Sequence, residues 1–385
     1  MKQICKFMIF LLVSGAMLCA QDMTQWIIDV RVPETTPEDA EIFVAGNFNM
    51  WNPADPAYKL IRVKPGIYTK VFNIFIDEIE FKFTMGSWND VEVLLNGENR
   101  GNRQEKLKRD FVKKIYEIQM WHEHEKIENI SGDVRIIENF EMPQLKRNRR
   151  IWIYLPPGYE ASEECYPVLY MHDGQNLFND ATSFSGEWGV DETLERLISS
   201  RKINKLIVVG IENHPEYRLN EYSPYLFEYS GLKIRPQASE YADFIVETLK
   251  PFIDGNYRTK PSREHTAIAG SSMGGLVSVY IGVKYQSVFS KVGALSSSFG
   301  VCKSDLVKFI NEHPKEYPMR FWLDMGSKEM GNMDLNEYQI PIKNALIDAG
   351  WQKRKEVKFL IFQGAEHNET YWRNRFDKVL KYLFK

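Results

Sequence analysis

Apolar positions change their spacing roughly a third of the way along this chain of 385 residues. In the first part they form short alternating or continuous runs, separated by turns rich in glycine and asparagine. The runs are 27–32, 41–45, 67–72, 80–84 and 91–95. Such short runs, bounded by turn residues, are typical of strands. The pattern therefore predicts an all-β domain over residues 21–122, arranged as an immunoglobulin-like sandwich.

After residue 133, short apolar runs alternate with longer segments of helical spacing. The predicted strands lie near 149–155, 167–172, 205–211, 265–270, 290–296, 319–325 and 356–362. Because strands that alternate with helices usually pair in parallel, this order predicts a mainly parallel sheet. We therefore expect an α/β domain over residues 133–385, joined to the first domain by a linker at 123–132.

Residues 1–20 have the pattern of a signal peptide. Lys2 and Lys6 form a positive start, and an apolar run follows at 7–13. This run is too short to leave a membrane-spanning segment after cleavage. We predict an exported protein, with the periplasm as the expected compartment. A secreted protein or a lipoprotein attached through Cys19 is the alternative.

Composition fits a globular protein and excludes one class of partner. The chain is 44% apolar and 13% aromatic, and its formal net charge of −3 argues against a nucleic-acid partner. Beyond the signal peptide it has two cysteines, Cys165 and Cys302, which we expect to be buried thiols. His122 and His124 lack a third ligand nearby, so we predict no metal site there.

Residues 270–274 carry the strongest chemical signal, the sequence GSSMG. They lie between a strand-like run at 266–269 and a helix-like run at 276–281. A serine with glycines two residues away on both sides, between strand and helix, is the nucleophile elbow of α/β-hydrolases. The helix N-terminus behind it favours negative charge. Ser272 is therefore the candidate nucleophile, and the second domain is predicted to have an α/β-hydrolase fold.

The general base should follow the serine, because the chain order in this fold is serine, acid, histidine. Two histidines follow Ser272. His313 stands before a proline at a predicted helix end, which is typical of a solvated loop. His367 follows the apolar run 357–362 and precedes a segment of helical spacing. This loop position predicts that His367 is the base.

Three carboxylates compete for the third position. Asp324 is still inside a predicted strand, and Asp334 precedes Glu337 by three residues, which is typical of a helix N-cap. Glu329 lies on the loop itself. Because geometry selects the residue that orients the base, we favour Glu329 and keep Asp324 and Asp334 as alternatives.

An oxyanion hole needs two backbone N–H groups. The first is expected from Met273, the residue after the nucleophile. The second is expected from the loop after the strand at 167–171, where Gln175 is the preferred donor and Gly174 the alternative.

Five segments of the second domain resemble the esterase D family, also called the putative-esterase group. They are 171–178 (MHDGQNLF), 186–191 (GEWGVD), 209–213 (VGIEN), 270–275 (GSSMGG) and 364–369 (GAEHNE). The family includes feruloyl and acetyl-xylan esterases, enterobactin esterases and mycolyltransferases. The resemblance covers about 134–385 and implies a Ser–acid–His triad with no metal and no cofactor. It also supports Glu329 as the acid and Gln175 as an oxyanion donor.

Two segments of the first domain resemble starch-binding and glycogen-binding modules, families 20 and 48 of the carbohydrate-binding modules. They are 44–53 (VAGNFNMWNP) and 81–88 (FKFTMGSW). The resemblance implies that Trp51, Lys82 and Trp88 bind polysaccharide, since aromatic faces suit sugar rings. The alternative is that Trp51 packs in the core and closes its turn.

Together these features predict a serine esterase that works through an acyl-enzyme. Its expected substrate is an acylated carbohydrate, such as a feruloylated or acetylated plant glycan, or another small ester. A siderophore esterase and an acyltransferase are alternatives within the enzymes. A non-catalytic glycan-binding protein is the alternative from another class, but the order Ser272, Glu329, His367 argues against it.

Overall fold

The structure is a computed structural model. It describes residues 23–49, 51–97, 100–107, 111–122, 129–183, 186–229, 232–329 and 335–385. The predicted signal peptide at 1–20, most of the predicted linker (123–128) and Asp334 lie outside the described residues.

The first part of the chain is built from short strands, as the alternating pattern predicts. They are β1 (Thr24–Arg31), β2 (Phe43–Gly46), β3 (Ile61–Lys64), β4 (Ile67–Ile74), β5 (Glu78–Thr84), β6 (Glu92–Val93), β7 (Arg103–Lys106), β8 (Phe111–Glu117) and β9 (Met120–Trp121). One sheet has the order β3-β4-β1-β8, another has the order β2-β5-β7, and β6 pairs with β9. Alternate residues of β1 are buried, from Thr24 through Trp26 and Ile28 to Val30. The Trp26 ring lies 4.8 Å from that of Phe81 on β5, so side chains of both sheets share one core.

The second part contains an eight-stranded sheet and a small hairpin. The strands are β10 (Asp133–Met142), β11 (Arg147–Leu155), β12 (Val168–His172), β13 (Ile207–Ile211), β14 (Phe227–Tyr229), β15 (Leu232–Ile234), β16 (Thr266–Ser271), β17 (Lys291–Leu295), β18 (Arg320–Gly326) and β19 (Val357–Phe362). The large sheet has the order β10-β11-β13-β12-β16-β17-β18-β19, and β14 pairs with β15. The first three strands of this order pair antiparallel, and the others pair in parallel. The sheet is thus mixed but mainly parallel. The seven predicted strands correspond to β11, β12, β13 and β16 to β19, whereas β10 and the hairpin were not predicted.

Helices connect the strands and cover the sheet. They are α1 (Val190–Ser199), α2 (Arg218–Tyr222), α3 (Ala238–Asp243), α4 (Lys250–Asn256), α5 (Met273–Lys284), α6 (Lys303–Glu312), α7 (Leu335–Asp348) and α8 (Glu369–Phe384), with a π-helical turn at Phe244–Leu249 between α3 and α4. Successive residues of β12 face two different cores. Val168 and Tyr170 pack in one apolar cluster, and Leu169 and Met171 pack in the other. Burial on both faces explains why the parallel strands are continuous apolar runs.

Two expectations about the chain as a whole can be compared with the structure. Cys165 and Cys302 are free thiols, but Cys165 is exposed, so the prediction that both are buried is wrong for that residue. Cys165 lies on the loop before β12, and its position outside the sheet leaves it open to solvent. In the part of the chain that the structure covers, no helix is long and apolar enough to cross a membrane.

Candidate active site

Ser272 lies at the tight turn between β16 and α5. Its backbone has φ 55° and ψ −122°. Serine rarely adopts this combination, so the surrounding turn holds the residue under strain. The absence of side chains at Gly270 and Gly274 permits the turn, because a Cβ on Gly270 would lie 2.8 Å from the Gly274 carbonyl carbon. This is the geometry of a nucleophile elbow, at the carboxyl edge of the sheet.

The loop after β17 is hydrogen-bonded to the elbow. The Ser272 N–H donates to the Leu295 carbonyl at 2.9 Å, and the Ser298 N–H donates to the Ser272 carbonyl at 3.0 Å. The Oγ atoms of Ser272 and Ser298 are also 3.0 Å apart and share a hydrogen bond. Sequence reasoning missed Ser298. The run of three serines at 296–298 directly after a strand was the available signal.

His367 and Glu329 lie on the loops after β19 and β18, two strands that are neighbours in the sheet. His367 Nδ1 and Glu329 Oε2 are 3.1 Å apart and hydrogen-bonded. The Glu329 side chain is fully buried, whereas that of His367 is 28% exposed. His367 is thus held from one side and open to solvent on the other.

Glu329 accepts two further hydrogen bonds through its other oxygen. The donors are Ser296 Oγ and the Gly326 N–H, each 2.6 Å from Oε1. Burial acts to raise the pKa of the Glu329 carboxyl, but the hydrogen bond and charge of His367, together with these two donors, outweigh it and hold the pKa below its usual value. The carboxylate is therefore ionised at neutral pH.

A second set of buried side chains supports this pair from α8. Trp372 Nε1 donates to Ser296 Oγ at 2.8 Å, and Arg375 also donates to that oxygen. The Arg375 guanidinium lies 3.5 Å from Glu329 Oε1. Sequence reasoning overlooked Arg375. Buried arginine has no local sequence signal when its partners are distant in the chain.

Asp324 has a different environment. It is fully buried, its Oδ1 lies 2.9 Å from Arg375 Nη2, and its Oδ2 accepts from Trp322 Nε1 at 2.6 Å. Burial raises the pKa of Asp324 to about 6, against the lowering effect of the Arg375 charge. Its contacts are therefore with structural side chains, and the carboxylate bonded to His367 is that of Glu329. Asp334, the third alternative, lies outside the described residues.

The two predicted oxyanion donors lie on the loops after β12 and β16. Met273 is the first residue of α5, so its N–H has no carbonyl to bond within the helix. Gln175 belongs to a 3₁₀ turn, Gly174–Asn176, and its side-chain oxygen accepts from the Asn213 N–H at 3.2 Å. A Cβ on Gly174 would lie 2.7 Å from the Gly210 carbonyl carbon, so this turn packs directly on β13.

Buried polar residues fix the loop that carries Gln175. Asp173 accepts two hydrogen bonds from the Arg218 guanidinium, at 2.7 and 2.9 Å, and one from Asn213 Nδ2 at 2.6 Å. Burial alone would raise the pKa of Asp173, but the charge and hydrogen bonds of Arg218 lower it. His172 Nδ1 bonds to the Tyr241 hydroxyl at 3.0 Å, and burial lowers the His172 pKa to about 3. Both side chains hold the loop against the elbow.

The candidate sugar-binding residues of the first domain fall into two groups. Trp51 and Trp88 are half-buried neighbours whose ring centroids are 6.1 Å apart. Lys82 is only 7% exposed. Burial lowers its pKa, against the raising effect of the Glu92 charge. The two tryptophans therefore present an accessible aromatic surface, and Lys82 belongs to the interior.

A strained serine elbow and a hydrogen-bonded Glu–His pair, on loops after the parallel strands of one mainly parallel sheet, are typical of an α/β-hydrolase-like protein. Comparison with known families agrees with this class. The model of the putative esterase family matches residues 143–383, and the chain belongs to that family.

Individual relatives are distant. The chain is 26% identical over 250 residues to the uncharacterized protein YbbA of Bacillus subtilis, a match that covers 62% of this chain and 93% of YbbA. It is 25% identical over 240 residues to an endo-1,4-β-xylanase/feruloyl esterase of Xylanibacter ruminicola, covering 60% of this chain but only 29% of that protein. Among solved structures, an enterochelin esterase of Shigella flexneri matches 94% of this chain and 93% of its own, with a TM-score of 0.54 and 14% identity. At that identity the likeness concerns the fold alone.

Proposed function

We propose that this esterase-family protein is a serine carboxylic-ester hydrolase with Ser272 as nucleophile, His367 as general base and Glu329 as the residue that orients the base. The hydrogen bond between His367 Nδ1 and Glu329 Oε2, at 3.1 Å, is the observation that carries the proposal. It places the Nδ1 proton toward the carboxylate and leaves Nε2 as the proton acceptor.

The reaction begins with proton transfer. His367 Nε2 takes the Ser272 hydroxyl proton as Oγ attacks the ester carbonyl carbon, and the carbonyl oxygen becomes an oxyanion. The Met273 and Gln175 N–H groups are the proposed oxyanion donors. Collapse of the intermediate expels the alcohol, which receives the proton from His367, and leaves an acyl-Ser272 ester. Water, activated by the same histidine, then releases the acid and restores the serine.

The proposed nucleophile would have to change its hydrogen bond before it reacts. Both Ser272 and His367 belong to the described residues, and the Ser272 hydroxyl bonds to Ser298 instead of to His367. A rotation about χ1 of Ser272 is therefore part of the proposed first step. Catalytic hydrogen bonds that are long or absent in a free enzyme often form only with substrate bound.

A labelling experiment tests the triad directly. A fluorophosphonate probe should label the wild-type protein and Ser298→Ala, but not Ser272→Ala. For Ser272→Ala, kcat for p-nitrophenyl acetate should fall by about 10³-fold or more. Ser298→Ala is the matched control, since it removes the neighbouring hydroxyl on the same loop. Labelling of folded Ser272→Ala would show that another residue is the nucleophile.

The proposed substrate is an acylated carbohydrate, such as a feruloyl or acetyl ester of a plant glycan. The name of the Xylanibacter relative supports this substrate class. A siderophore-type ester is the second candidate, favoured by the fold similarity to the enterochelin esterase over nearly the whole chain. Rates on acetyl, feruloyl and catechol-type esters, with and without a sugar acceptor, distinguish these substrates and separate hydrolysis from acyl transfer.

For the first domain we propose an immunoglobulin-like sandwich that binds polysaccharide through Trp51 and Trp88. Their adjacent half-buried rings support this role. Lys82 is left out of this proposed surface because its side chain is buried. The positive and apolar pattern of residues 1–20 supports export to the periplasm. If Trp51 and Trp88 bind no glycan, nothing supports the alternative that the protein is a non-catalytic glycan-binding protein.

A further inference from the structure

Three carboxylates that the proposed mechanism does not use meet at the start of α1. Glu187 precedes this helix, and Asp191 and Glu192 lie in its first turn. One carboxylate oxygen of each residue lies within 4.8 Å of one oxygen of each of the others. The side chains of Glu187 and Asp191 are deeply buried, at 3% and 0% exposure. Burial of like charges at this spacing is costly unless a cation or a proton balances them.

One oxygen of each carboxylate accepts a hydrogen bond from another part of the protein. Asn129 Nδ2 donates to Glu187 Oε2 at 2.7 Å and to Glu192 Oε1 at 3.3 Å, and the Ser131 N–H donates to Asp191 Oδ2 at 2.6 Å. Among the residues that the structure describes, none donates a hydrogen bond to the remaining oxygens, which are buried: Glu187 Oε1, Asp191 Oδ1 and Glu192 Oε2. Such a set of unpaired buried acceptors requires a proton, a water molecule or a cation to satisfy it.

The charge of the cluster is only partly compensated. Within the part of the chain that the structure covers, Arg373 is the cation that bonds to it, through Nη2 to Glu187 Oε2 at 2.7 Å. A helix-capping role does not explain the acids, because the N-cap of α1 is Gly189 and no side chain caps it. Burial raises the pKa of Glu187 to about 7 and that of Asp191 to about 8.

The geometry points to a structural site for a hard divalent cation of the Ca²⁺ type, held by Glu187, Asp191 and Glu192. Ca²⁺ prefers oxygen ligands and forms bonds of about 2.4 Å, so oxygens up to about 4.8 Å apart can share one ion. One oxygen from each of the three carboxylates meets this condition. Zinc is disfavoured, because no histidine or cysteine belongs to the cluster.

Such an ion would tie three distant segments together. Asn129 and Ser131 belong to the entry into the second domain, the acids belong to the start of α1, and Arg373 belongs to α8. The residue before α8, Asn368, directly follows His367. The ion would therefore stabilise the domain and restrain the helix that follows the catalytic loop, without contacting substrate.

Calorimetric titration of the full-length, EDTA-treated protein with CaCl₂ at pH 7 tests the site. One ion per chain should bind, and at a Ca²⁺ concentration of 100 times Kd the Tm should rise by roughly 5–10 °C. Asp191→Asn and Glu192→Gln should each weaken Ca²⁺ binding by about 100-fold or more. Glu264→Gln, which removes an exposed carboxylate elsewhere, should bind Ca²⁺ like the wild type.

The possible outcomes separate this site from the catalytic proposal. Ser272→Ala should bind Ca²⁺ with unchanged affinity whether or not the triad assignment is correct. The Ca²⁺ site would be refuted if the wild type bound no Ca²⁺, or if Asp191→Asn bound it as tightly as the wild type. The three carboxylates would then be neutralised by protons instead. A response to MgCl₂ but not to CaCl₂ would overturn the Ca²⁺ assignment. If Asp191→Asn does not fold, the titrations of Glu192→Gln and of the wild type still show whether these carboxylates bind Ca²⁺.

Discussion

Glu329→Gln tests the proposed triad at its most specific contact. Glutamine keeps the size of the side chain, and its carbonyl oxygen can still accept from Ser296 Oγ and the Gly326 N–H. Its amide group, however, would replace Oε2 at 3.1 Å from His367 Nδ1. An amide N–H there donates to Nδ1, which puts the imidazole proton on Nε2. That nitrogen could then no longer accept the serine proton.

The size of the effect follows from this change of tautomer and from the lost negative charge. In a Ser–His–acid triad, such a change costs about 10⁴-fold in kcat. At about 1.36 kcal/mol for each factor of ten, the loss corresponds to roughly 5 kcal/mol of transition-state stabilisation. The fold should persist, because Arg375 keeps its contact with Asp324 at 2.9 Å. We expect a stability loss of only about 1–2 kcal/mol from the weakened hydrogen bonds.

Steady-state hydrolysis of p-nitrophenyl acetate, with urea unfolding of the same preparations, separates the two effects. For Glu329→Gln, kcat should fall while KM stays near the wild-type value. Asp324→Asn is the matched control. It should lose about 3 kcal/mol of stability, because it breaks a buried ion pair, yet keep kcat within about tenfold when folded. Asp334→Asn should weaken only a predicted helix cap, at about 1 kcal/mol. A folded Glu329→Gln with near-normal kcat would refute the assignment, and a collapse of kcat in either control would identify the true acid.

Three further predictions concern other parts of the molecule. Burial lowers the pKa of His172 from 6.5 to about 3, so the side chain is neutral in the folded protein. As the pH falls, the histidine of the unfolded chain binds a proton before that of the folded chain does. The free energy of unfolding should therefore fall by about 1.4 kcal/mol per pH unit below pH 6.5. His172→Asn should remove this contribution in urea titrations between pH 4.5 and 7.5, and unchanged slopes would contradict the reasoning. Trp372→Phe deletes the 2.8 Å hydrogen bond to Ser296 Oγ and should lower kcat about three- to tenfold at constant KM; full activity would show that this bond is dispensable. Deletion of residues before Gly132 should spare small-ester hydrolysis but weaken action on polymeric glycan, and Trp88→Ala should reproduce the polymer defect. Affinity electrophoresis of the full-length protein in starch, xylan and pectin tests for glycan binding. If no glycan retards the protein and the truncated protein loses small-ester activity, the first domain is a structural part of the esterase instead.

Much of the proposed catalytic arrangement could be predicted because its signals are local. The elbow at Ser272 needs glycines at fixed offsets, and its strand and helix are visible as apolar runs. The loop positions of His367 and Glu329 follow from a rule of chain order, since parallel strands end at one edge of the sheet. These rules identify which loops meet, and they need no knowledge of side-chain packing.

The environment of those residues could not be predicted in the same way. The bond from Ser272 to Ser298 depends on rotamers, and the contacts of Arg375 join α8 to two other loops. The spacing of residues along the chain does not predict contacts between side chains of distant segments. Lys82 shows the same limit, because its place in a binding motif suggested an exposed side chain and the structure buries it. The carboxylate cluster could not be predicted either, since Glu187 and Asp191 entered the sequence analysis only as members of the segment 186–191.

The helix that follows His367 also supplies Trp372 and Arg375, which hold Ser296 and, through it, Glu329. The proposed base and the proposed orienting carboxylate are therefore both linked to α8, His367 through the chain and Glu329 through Ser296. If thermal motion slides α8 along the sheet, both partners are carried with it, and their 3.1 Å separation is preserved while their distance from Ser272 changes. If the packing of α8 became looser, activity would therefore fall because His367 would lie farther from Ser272. The hydrogen bond between His367 and Glu329 would stay intact.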